Sequence, residues 1–264
     1  MDKIPCTVAI LTRNSAATIL RALESVKEFD DILICDGGST DETLLIAKTF
    51  GARVIYQDSQ FQDKDGRLRD FSGVRNQTLA AATHEWFFFL DSDEYLSSAL
   101  VDDVRAAVAA RVPAAYWVPR LYVYRGKIID RAVTYPNRQM RFFHRSVAHG
   151  FIKEVHERID LVEGAHRKEF HTHLLVPIED SVADMKRKWL HYLAVESARQ
   201  PILTWRQWIR GALRESLIAG LYIVRFVRNL FFSGGTRLPM RFELARLWYQ
   251  IAAVKTSWYR VRGW

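Results

Sequence analysis

Residues 32–43 read Ile-Leu-Ile-Cys-Asp-Gly-Gly-Ser-Thr-Asp-Glu-Thr, an apolar run followed by an aspartate, two glycines and a polar segment. The apolar run is typical of a buried strand. Ser39 and Glu42 have the spacing of a capping box, which predicts a helix start. Similar short apolar runs occur at 7–11, 54–56 and 86–90. Strands alternating with helices in this way predict an α/β fold with an open, mostly parallel sheet.

Polar residues or glycine follow each predicted strand. They include Thr12 and Asn14, Asp36 and Gly37, and Asp91 and Asp93. Open α/β sheets bind ligands at the carboxyl ends of their strands, so these residues are predicted to share one site. Two carboxylates so close together suit a divalent cation, Mg²⁺ or Mn²⁺. The alternatives are that the two aspartates cap the next helix and that Asp36 only forms a turn.

The composition is that of a folded protein in a reducing compartment. Of the 264 residues, 49% are hydrophobic and 26% are charged, which excludes disorder as the main state. Cys6 and Cys35 are the two cysteines, so no disulfide framework is expected. The first apolar run is short and soon meets Thr12-Arg13-Asn14, which resembles neither a signal peptide nor a spanning helix. We therefore expect a cytoplasmic protein.

Charge is distributed unevenly along the chain. Residues 1–100 contain 10 Lys and Arg against 16 Asp and Glu, whereas residues 201–264 contain 11 against 2. A basic C-terminal segment predicts an anionic partner, either a membrane surface or a nucleic acid. The acidic first hundred residues argue against nucleic acid as the main partner.

The segment 202–232 is predicted to be one amphipathic helix, because Pro201 precedes it and Ser233-Gly234-Gly235 follow it. At 100° per residue its arginines share one face: Arg206, Arg210, Arg214, Arg225 and Arg228. Trp208 and other apolar residues fall on the far side, and the uncharged run 216–224 is too short to span a bilayer. The segment is predicted to lie on an anionic membrane surface. A helical hairpin packed on the rest of the chain, or a homodimer interface, is the alternative.

Four motifs in order carry a resemblance to a known family. They are 10–14, 34–43, Arg75-Asn76 and 89–94, and together they resemble family 2 glycosyltransferases of the GT-A nucleotide-sugar-binding fold. The resemblance covers about residues 1–100 firmly. It extends more loosely over 138–199, where Val155-His156-Glu157 and His173 resemble the subgroup that includes lipopolysaccharide-core sugar transferases. Residues 200–264 lie outside it.

The resemblance implies roles for individual residues. Thr12, Asn14 and Gly37 would line the nucleotide pocket, Asp36 would contact base or ribose, and Arg75 would lie near the nucleotide. Asp91 and Asp93 would hold Mg²⁺ or Mn²⁺, with His173 as a further ligand. The base of an inverting transfer is assigned to Glu157, with His156 beside it. The alternative for Glu157 is a solvated charge run with Glu154.

The resemblance also implies an organisation and a substrate class. A GT-A catalytic domain is expected over 1–199, with a nucleotide-binding half at 1–110 and an acceptor half at 111–199, followed by a helical, basic extension at 200–264. The Gln-x-x-Arg-Trp signature of processive synthases is absent at Trp189, which favours transfer of one sugar. A UDP-sugar donor and a lipid-linked or lipopolysaccharide acceptor are expected, at the cytoplasmic face of the inner membrane.

Two other function classes would also use parts of this sequence pattern. A nucleotidyltransferase would need a glycine-rich, lysine-containing phosphate loop near the first strand, and 11–15 contain no glycine. A non-enzymatic basic module that binds membrane or nucleic acid would leave the acidic motifs unused.

Overall fold

The structure is a computed structural model that describes residues 2–63, 68–153, 157–178, 180–199, 203–231 and 234–262. The chain divides into two compact units. The first comprises Met1–Leu121 with Pro136–Val176, and the second comprises Tyr122–Tyr135 with Pro177–Trp264. The expected functional boundary at 199–200 therefore falls inside the second packing unit, and that functional division stays a prediction.

The helices and strands alternate through the first half of the chain, as the sequence predicts. In chain order they are β1 (Ile4–Thr12), α1 (Ala16–Val26), β2 (Phe29–Asp36), α2 (Thr43–Thr49), β3 (Arg53–Tyr56), α3 (Phe71–Ala80), β4 (Trp86–Asp91), β5 (Tyr95–Leu96), α4 (Ser98–Ala109), β6 (Ala115–Tyr124), β7 (Lys127–Ile128), β8 (Arg138–His144), β9 (Ala148–Ile152), β10 (Arg158–Leu161), β11 (Arg167–Glu169), β12 (Leu174–Pro177), α5 (Val182–Arg199), α6 (Trp205–Phe231) and α7 (Met240–Arg262).

The main sheet has the strand order β3-β2-β1-β4-β8-β6-β12-β5. The first four strands are parallel, while β8 runs antiparallel to both β4 and β6. Aromatic side chains fill the junction, where Trp86 stacks on Phe142 with ring centroids 4.7 Å apart. Within β4, Trp86 and Phe88 belong to one buried cluster and Phe87 and Phe89 to another, so its apolar run 86–90 is explained by cover on both faces. The predicted α/β sheet is confirmed.

The strand register aligns the predicted site residues. Thr12 pairs with Asp36 between β1 and β2, and Leu11 pairs with Asp91 between β1 and β4. Asp36 also pairs with Tyr56 at the end of β3. Because these strands are parallel, their polar ends meet at one edge of the sheet, as predicted.

The predicted capping box at 39–42 is wrong. Helix α2 begins at Thr43, and its capping residue, Glu42, makes no side-chain capping bond. Asp41 provides the side-chain contact at the start of the helix instead, because its Oδ1 accepts a hydrogen bond from the Thr43 amide at 3.0 Å. Ser39 is engaged elsewhere: its hydroxyl donates to Asp36 and accepts from the Asn14 amide.

Helices dominate the second unit, and α7 packs against both α5 and α6. A tryptophan cluster joins the helix ends, with Trp208 4.7 Å from Trp258 and 5.1 Å from Trp205 between ring centroids. Within the described residues, no helix combines the length and the apolar character needed to cross a bilayer.

Candidate active site

Asp36 organises the loop that follows β2. Its Oδ2 accepts hydrogen bonds from the amides of Gly38 and Ser39 at 3.0 and 2.7 Å, and its Oδ1 accepts from the hydroxyls of Thr12 and Ser39 at 2.8 and 2.5 Å. The side chain is buried. The turn-forming role is therefore present in the structure, and a contact from Asp36 to base or ribose stays a prediction.

Asn14 and the two glycines shape the same loop. The Asn14 side-chain oxygen accepts from the Thr40 amide at 2.8 Å, and Asn14 has a positive φ of 50°. Gly37 donates from its amide to the Thr12 carbonyl at 2.8 Å. A Cβ added to Gly37 would lie 2.8 Å from Oε1 of Gln57, so a larger residue would have to displace the end of that side chain. Thr12, Asn14, Asp36 and Gly37 are thus brought together as predicted.

Asp91 is held by two arginines. Nη2 of Arg75 donates to Oδ1 at 2.6 Å, and Nη2 of Arg141 donates to Oδ2 at 2.9 Å. Both guanidinium groups are almost fully buried, whereas the Asp91 side chain is 40% exposed. Burial alone would raise the pKa of Asp91, but the charges of Arg141 and Arg75 lower it far below its usual range. Asp91 is therefore ionised, and the two arginines hold its carboxylate in one orientation.

A second ion pair extends this cluster. Glu94 is buried, lies 3.1 Å from Nη2 of Arg141 and also accepts a hydrogen bond from Arg120. Burial raises the pKa of Glu94, against the opposing charge of Arg141. Sequence reasoning did not assign Glu94, Arg120 or Arg141 to the site. The available signal was Arg141 itself, a charged residue next to the apolar pair Phe142-Phe143.

Phe89 supports both arginines that hold Asp91. The Arg75 and Arg141 Cζ atoms lie 4.5 and 4.6 Å from the centroid of its ring. Cation–π contacts of this kind are stronger where the cation is desolvated. The aromatic residue two positions before Asp91 therefore helps to fix the guanidinium groups around that carboxylate.

Glu157 lies beside this cluster. Its Oε1 is 3.7 Å from Nε of Arg75, and the side chain is 20% exposed. The residue immediately precedes β10, whose partner β9 is clamped by Asn76: Nδ2 donates to the Phe151 carbonyl at 2.9 Å, and Oδ1 accepts from the Phe151 amide at 2.7 Å. Arg75 and Asn76 therefore link helix α3 to Asp91 and to the antiparallel pair of β9 and β10. His156 lies outside the described residues.

The residues predicted to bind a metal ion differ in their surroundings. Asp93 is exposed, and its carboxylate oxygens are of the hard type that Mg²⁺ and Mn²⁺ prefer. His173 lies next to β12, where its carbonyl accepts from the Ser97 amide at 3.3 Å, and burial lowers its pKa. In the described part of the chain, no three His, Cys, Asp or Glu side chains form a cluster that could hold a metal ion. Asp91, Asp93 and His173 as a ligand set stay a prediction.

The six residues predicted for the membrane surface divide into two groups. Four are exposed on α6: Arg206, Arg210, Arg214 and Arg228. Trp208 and Arg225 are half-buried, and Nη1 of Arg225 donates to the Val133 carbonyl at 3.0 Å. The Arg225 guanidinium is therefore directed into the second unit rather than towards the exposed arginines.

Comparison with known proteins decides the family. The model of glycosyl transferase family 2 matches residues 7–154, more than half of the chain. The chain belongs to glycosyl transferase family 2. Its matched segment contains the loop at 36–39, Arg75, Asp91 and Arg141, so the cluster described above lies within the family region. This confirms the resemblance that the four motifs carry.

Similar proteins include other glycosyltransferases. An uncharacterised glycosyltransferase of Rickettsia typhi is 31% identical over 143 residues, covering 53% of this chain and 46% of that protein. Glycosyltransferase SunS of Bacillus subtilis is 34% identical over 97 residues, covering 36% of this chain and 22% of SunS. The matched region thus spans less than half of each relative. These names support a glycosyltransferase as the enzyme class and argue against a nucleotidyltransferase.

A solved structure supports the fold. TarS residues 1–349 of S. aureus, in complex with UDP-GlcNAc, aligns with a TM-score of 0.51 and 15% identity, covering 75% of this chain and 67% of that one. At this identity the similarity establishes the fold alone. The GT-A fold expected from the sequence is therefore confirmed.

Proposed function

We propose that this family 2 chain is an inverting, metal-dependent glycosyltransferase that moves one sugar from a nucleotide-diphosphate sugar to a lipid-linked or cell-envelope glycan acceptor. The observation that carries the proposal is the cluster at the sheet edge, where Asp91, two buried arginines and Glu157 converge. An ordinary helix-capping pair of aspartates would not need two desolvated guanidinium groups.

The donor is proposed to be a UDP-sugar. The structurally similar TarS is described in complex with UDP-GlcNAc, and its fold supports an equivalent pocket here. In this chain Thr12, Asn14, Asp36 and Gly37 lie together in the loops that follow β1 and β2, tied by hydrogen bonds to Asp36 and Asn14. Nucleoside recognition at the carboxyl ends of β1 and β2 is the usual arrangement for such sheets.

A divalent cation fits the donor side of the site. Asp93 offers exposed carboxylate oxygens, and such ions are commonly bound by one or two carboxylates together with substrate phosphates. When bound, Mg²⁺ or Mn²⁺ would neutralise charge on the leaving diphosphate. Because both oxygens of Asp91 accept from arginines, Asp93 is the better protein ligand of the pair in this arrangement.

Glu157 is proposed as the general base. Its carboxylate would remove the proton from the acceptor hydroxyl while that oxygen attacks the anomeric carbon, and the bond from this carbon to the diphosphate oxygen would break on the opposite face. The product is an inverted glycoside, and the diphosphate departs with the bonding electrons. Glu157 is partly exposed, which leaves it accessible to an acceptor.

The acceptor is proposed to be a single lipid-linked or envelope glycan, in line with the looser resemblance to lipopolysaccharide-core sugar transferases. The Gln-x-x-Arg-Trp signature of processive synthases is missing around Trp189. The Trp189 ring contacts Tyr249, and the Arg246 guanidinium lies over it, within the second unit. Peripheral attachment at the cytoplasmic face of the inner membrane follows from such an acceptor.

Thermal unfolding with nucleoside diphosphates and Mn²⁺ tests the donor side. We expect one nucleotide to raise the midpoint in the presence of metal, because selective binding to the folded state stabilises it. Asp93→Ala should abolish the metal-dependent part. Glu157→Gln should bind nucleotide normally but lose sugar transfer. Retained transfer in Glu157→Gln would assign the base elsewhere, and the absence of any nucleotide effect would contradict the proposed function.

A further inference from the structure

Helix α6 packs within the second unit along one stripe. Its half-buried or buried positions recur every three or four residues, as expected for a helix with one packed face. They include Trp208, Ala212, Glu215, Tyr222, Phe226 and Asn229. This side of α6 is therefore covered by the rest of the second unit. It includes Trp208, which the sequence places on the side opposite the arginines.

The opposite face of α6 is exposed and apolar. Leu213, Leu217, Val224 and Phe231 are 60%, 75%, 65% and 82% exposed. Their spacings of four, seven and seven residues align them along the helix. Continuous apolar exposure of this kind marks an interaction surface rather than scattered surface residues.

Arginines lie on the same exposed face. Arg206, Arg210, Arg214 and Arg228 fall within 80° of one another on the helical wheel and are exposed. Glu215 is the one acidic residue in the sequence of α6, and its 14%-exposed side chain pairs with Arg214 at 2.7 Å. The exposed face therefore combines leucine, valine and phenylalanine with a net positive charge.

We propose that this face, the α6 outer face of Leu213, Leu217, Val224 and Phe231 with its four arginines, docks in the plane of a bilayer that contains anionic lipids. Apolar side chains would enter the acyl boundary, and the arginines would reach the anionic headgroups. The helix is 27 residues long, about 40 Å at 1.5 Å per residue, so it would lie along the surface.

A second copy of the chain is a poorer occupant. Two outer faces in a symmetric pair would bring eight arginines together, and α6 offers no exposed acidic side chain to neutralise them. Anionic headgroups supply the missing charge. The inference concerns the second unit and stands independently of the base and metal assignments.

Vesicle sedimentation with the full chain tests the inference. The probes are phosphatidylcholine vesicles and phosphatidylcholine vesicles that contain phosphatidylglycerol. We expect binding to the anionic vesicles, weakened by high salt, and little binding to neutral ones. Leu217→Asp with Val224→Asp should remove binding. Leu20→Asp with Leu45→Asp is the matched control, because both leucines are exposed on helices of the first unit.

The charge requirement has its own variants. Arg206→Gln with Arg210→Gln should weaken binding to anionic vesicles about 25-fold, at about fivefold per arginine. Lys48→Gln with Arg167→Gln is the control, since both are exposed in the first unit. Circular dichroism and nucleotide binding report whether each variant remains folded.

Three results would overturn the inference. The first is equal binding to neutral and anionic vesicles. The second is wild-type binding by the Leu217→Asp, Val224→Asp variant. The third is a dimer in solution that these substitutions dissociate, without vesicle binding by the wild type. Failure of nucleotide binding in all variants and the wild type would instead count against the proposed function.

Discussion

Nη2 of Arg75 donates a hydrogen bond to Oδ1 of Asp91 at 2.6 Å, and this contact joins helix α3 to the end of β4. Arg141 takes the other carboxylate oxygen from β8. Two buried cations therefore share one carboxylate, and removing its charge leaves Arg141 with Glu94 at 3.1 Å and Arg75 with Glu157 at 3.7 Å as their remaining acidic partners. A buried, uncompensated charge is far more costly than a missing surface contact.

Asp91→Asn should destabilise the protein much more than Asp93→Asn. We expect a loss of about 2 kcal/mol in the free energy of unfolding for Asp91→Asn, since its two arginine partners are buried while Asp91 itself is partly exposed. Asp93→Asn, at an exposed site, should stay within about 0.5 kcal/mol of wild type. Urea unfolding measures both. Equal stabilities would contradict a structural role for the two arginine contacts.

Asn76 should matter for turnover more than for donor binding. Its amide clamps Phe151 in β9, and β9 pairs with β10, which Glu157 immediately precedes. Asn76→Ala should lower kcat roughly 10- to 100-fold by displacing the proposed base, with nucleotide affinity unchanged. Steady-state kinetics and nucleotide titration provide the two measurements.

Asn76→Asp isolates the donor half of this contact. It keeps an oxygen that can accept from the Phe151 amide, but its second carboxylate oxygen replaces the Nδ2 donor and would repel the Phe151 carbonyl oxygen, so kcat should fall at least as far as in Asn76→Ala. Equal losses of nucleotide affinity and turnover would instead indicate that Asn76 acts on the donor pocket or on folding.

The sequence predicted the residues at the strand ends because parallel pairing follows from local patterns. Each short apolar run followed by a polar residue locates the end of one strand, so Thr12, Asp36 and Asp91 could be assigned to one edge. Arg141, Glu94 and Arg120 could not be assigned in this way. Their contacts depend on antiparallel pairing of β8 with β4 and β6, which is long-range and has no local signal.

The incorrect capping box at 39–42 and the packing of part of α6 have physical causes. At 39–42, Ser39 has the right spacing for a capping box, but Asp36 and Asn14 offer its hydroxyl competing partners. On α6, the helical wheel places the arginines on one face, and four of them are exposed there. Periodicity alone does not show which face packs against the rest of the second unit. Trp208 and Phe226 pack inside the unit, whereas Leu217 and Val224 remain exposed.

Gly73→Ala should destabilise the protein although it lies in helix α3. A Cβ at this position would come within 2.3 Å of Cε1 of Phe61 and 2.7 Å of Oδ2 of Asp70, the helix cap. We expect a net loss of about 1–3 kcal/mol from overpacking, which exceeds the gain in helix propensity.

Gly220→Ala in α6 is the matched control. Among the described residues, no atom outside the neighbouring helical backbone lies within 4 Å of the added Cβ, so the substitution should raise stability by about 0.5–1 kcal/mol. Urea unfolding separates the two outcomes by their sign. A stabilising Gly73→Ala would mean that Phe61 does not occupy this position in solution.

Glu243 should make stability depend on pH. This side chain is buried, and burial raises its pKa from 4.5 to about 7, although a hydrogen bond from the Val133 amide and the charge of Arg246 oppose the change. A carboxyl with a raised pKa binds its proton more tightly in the folded state. Its stabilising contribution is therefore present below about pH 4.5 and is lost as the pH rises through about 7.

Glu243→Gln tests this pH dependence with a neutral side chain of the same shape. The amide oxygen can still accept from the Val133 amide, so the variant should lie within about 1 kcal/mol of wild type near pH 5 and exceed it by about 3 kcal/mol at pH 8. Glu24→Gln, at an exposed surface pair with Lys27, is the control and should leave the profile unchanged. Unfolding free energies measured from pH 5 to pH 8 decide the outcome, and parallel profiles for wild type and Glu243→Gln would show that Glu243 keeps an ordinary pKa in the folded protein.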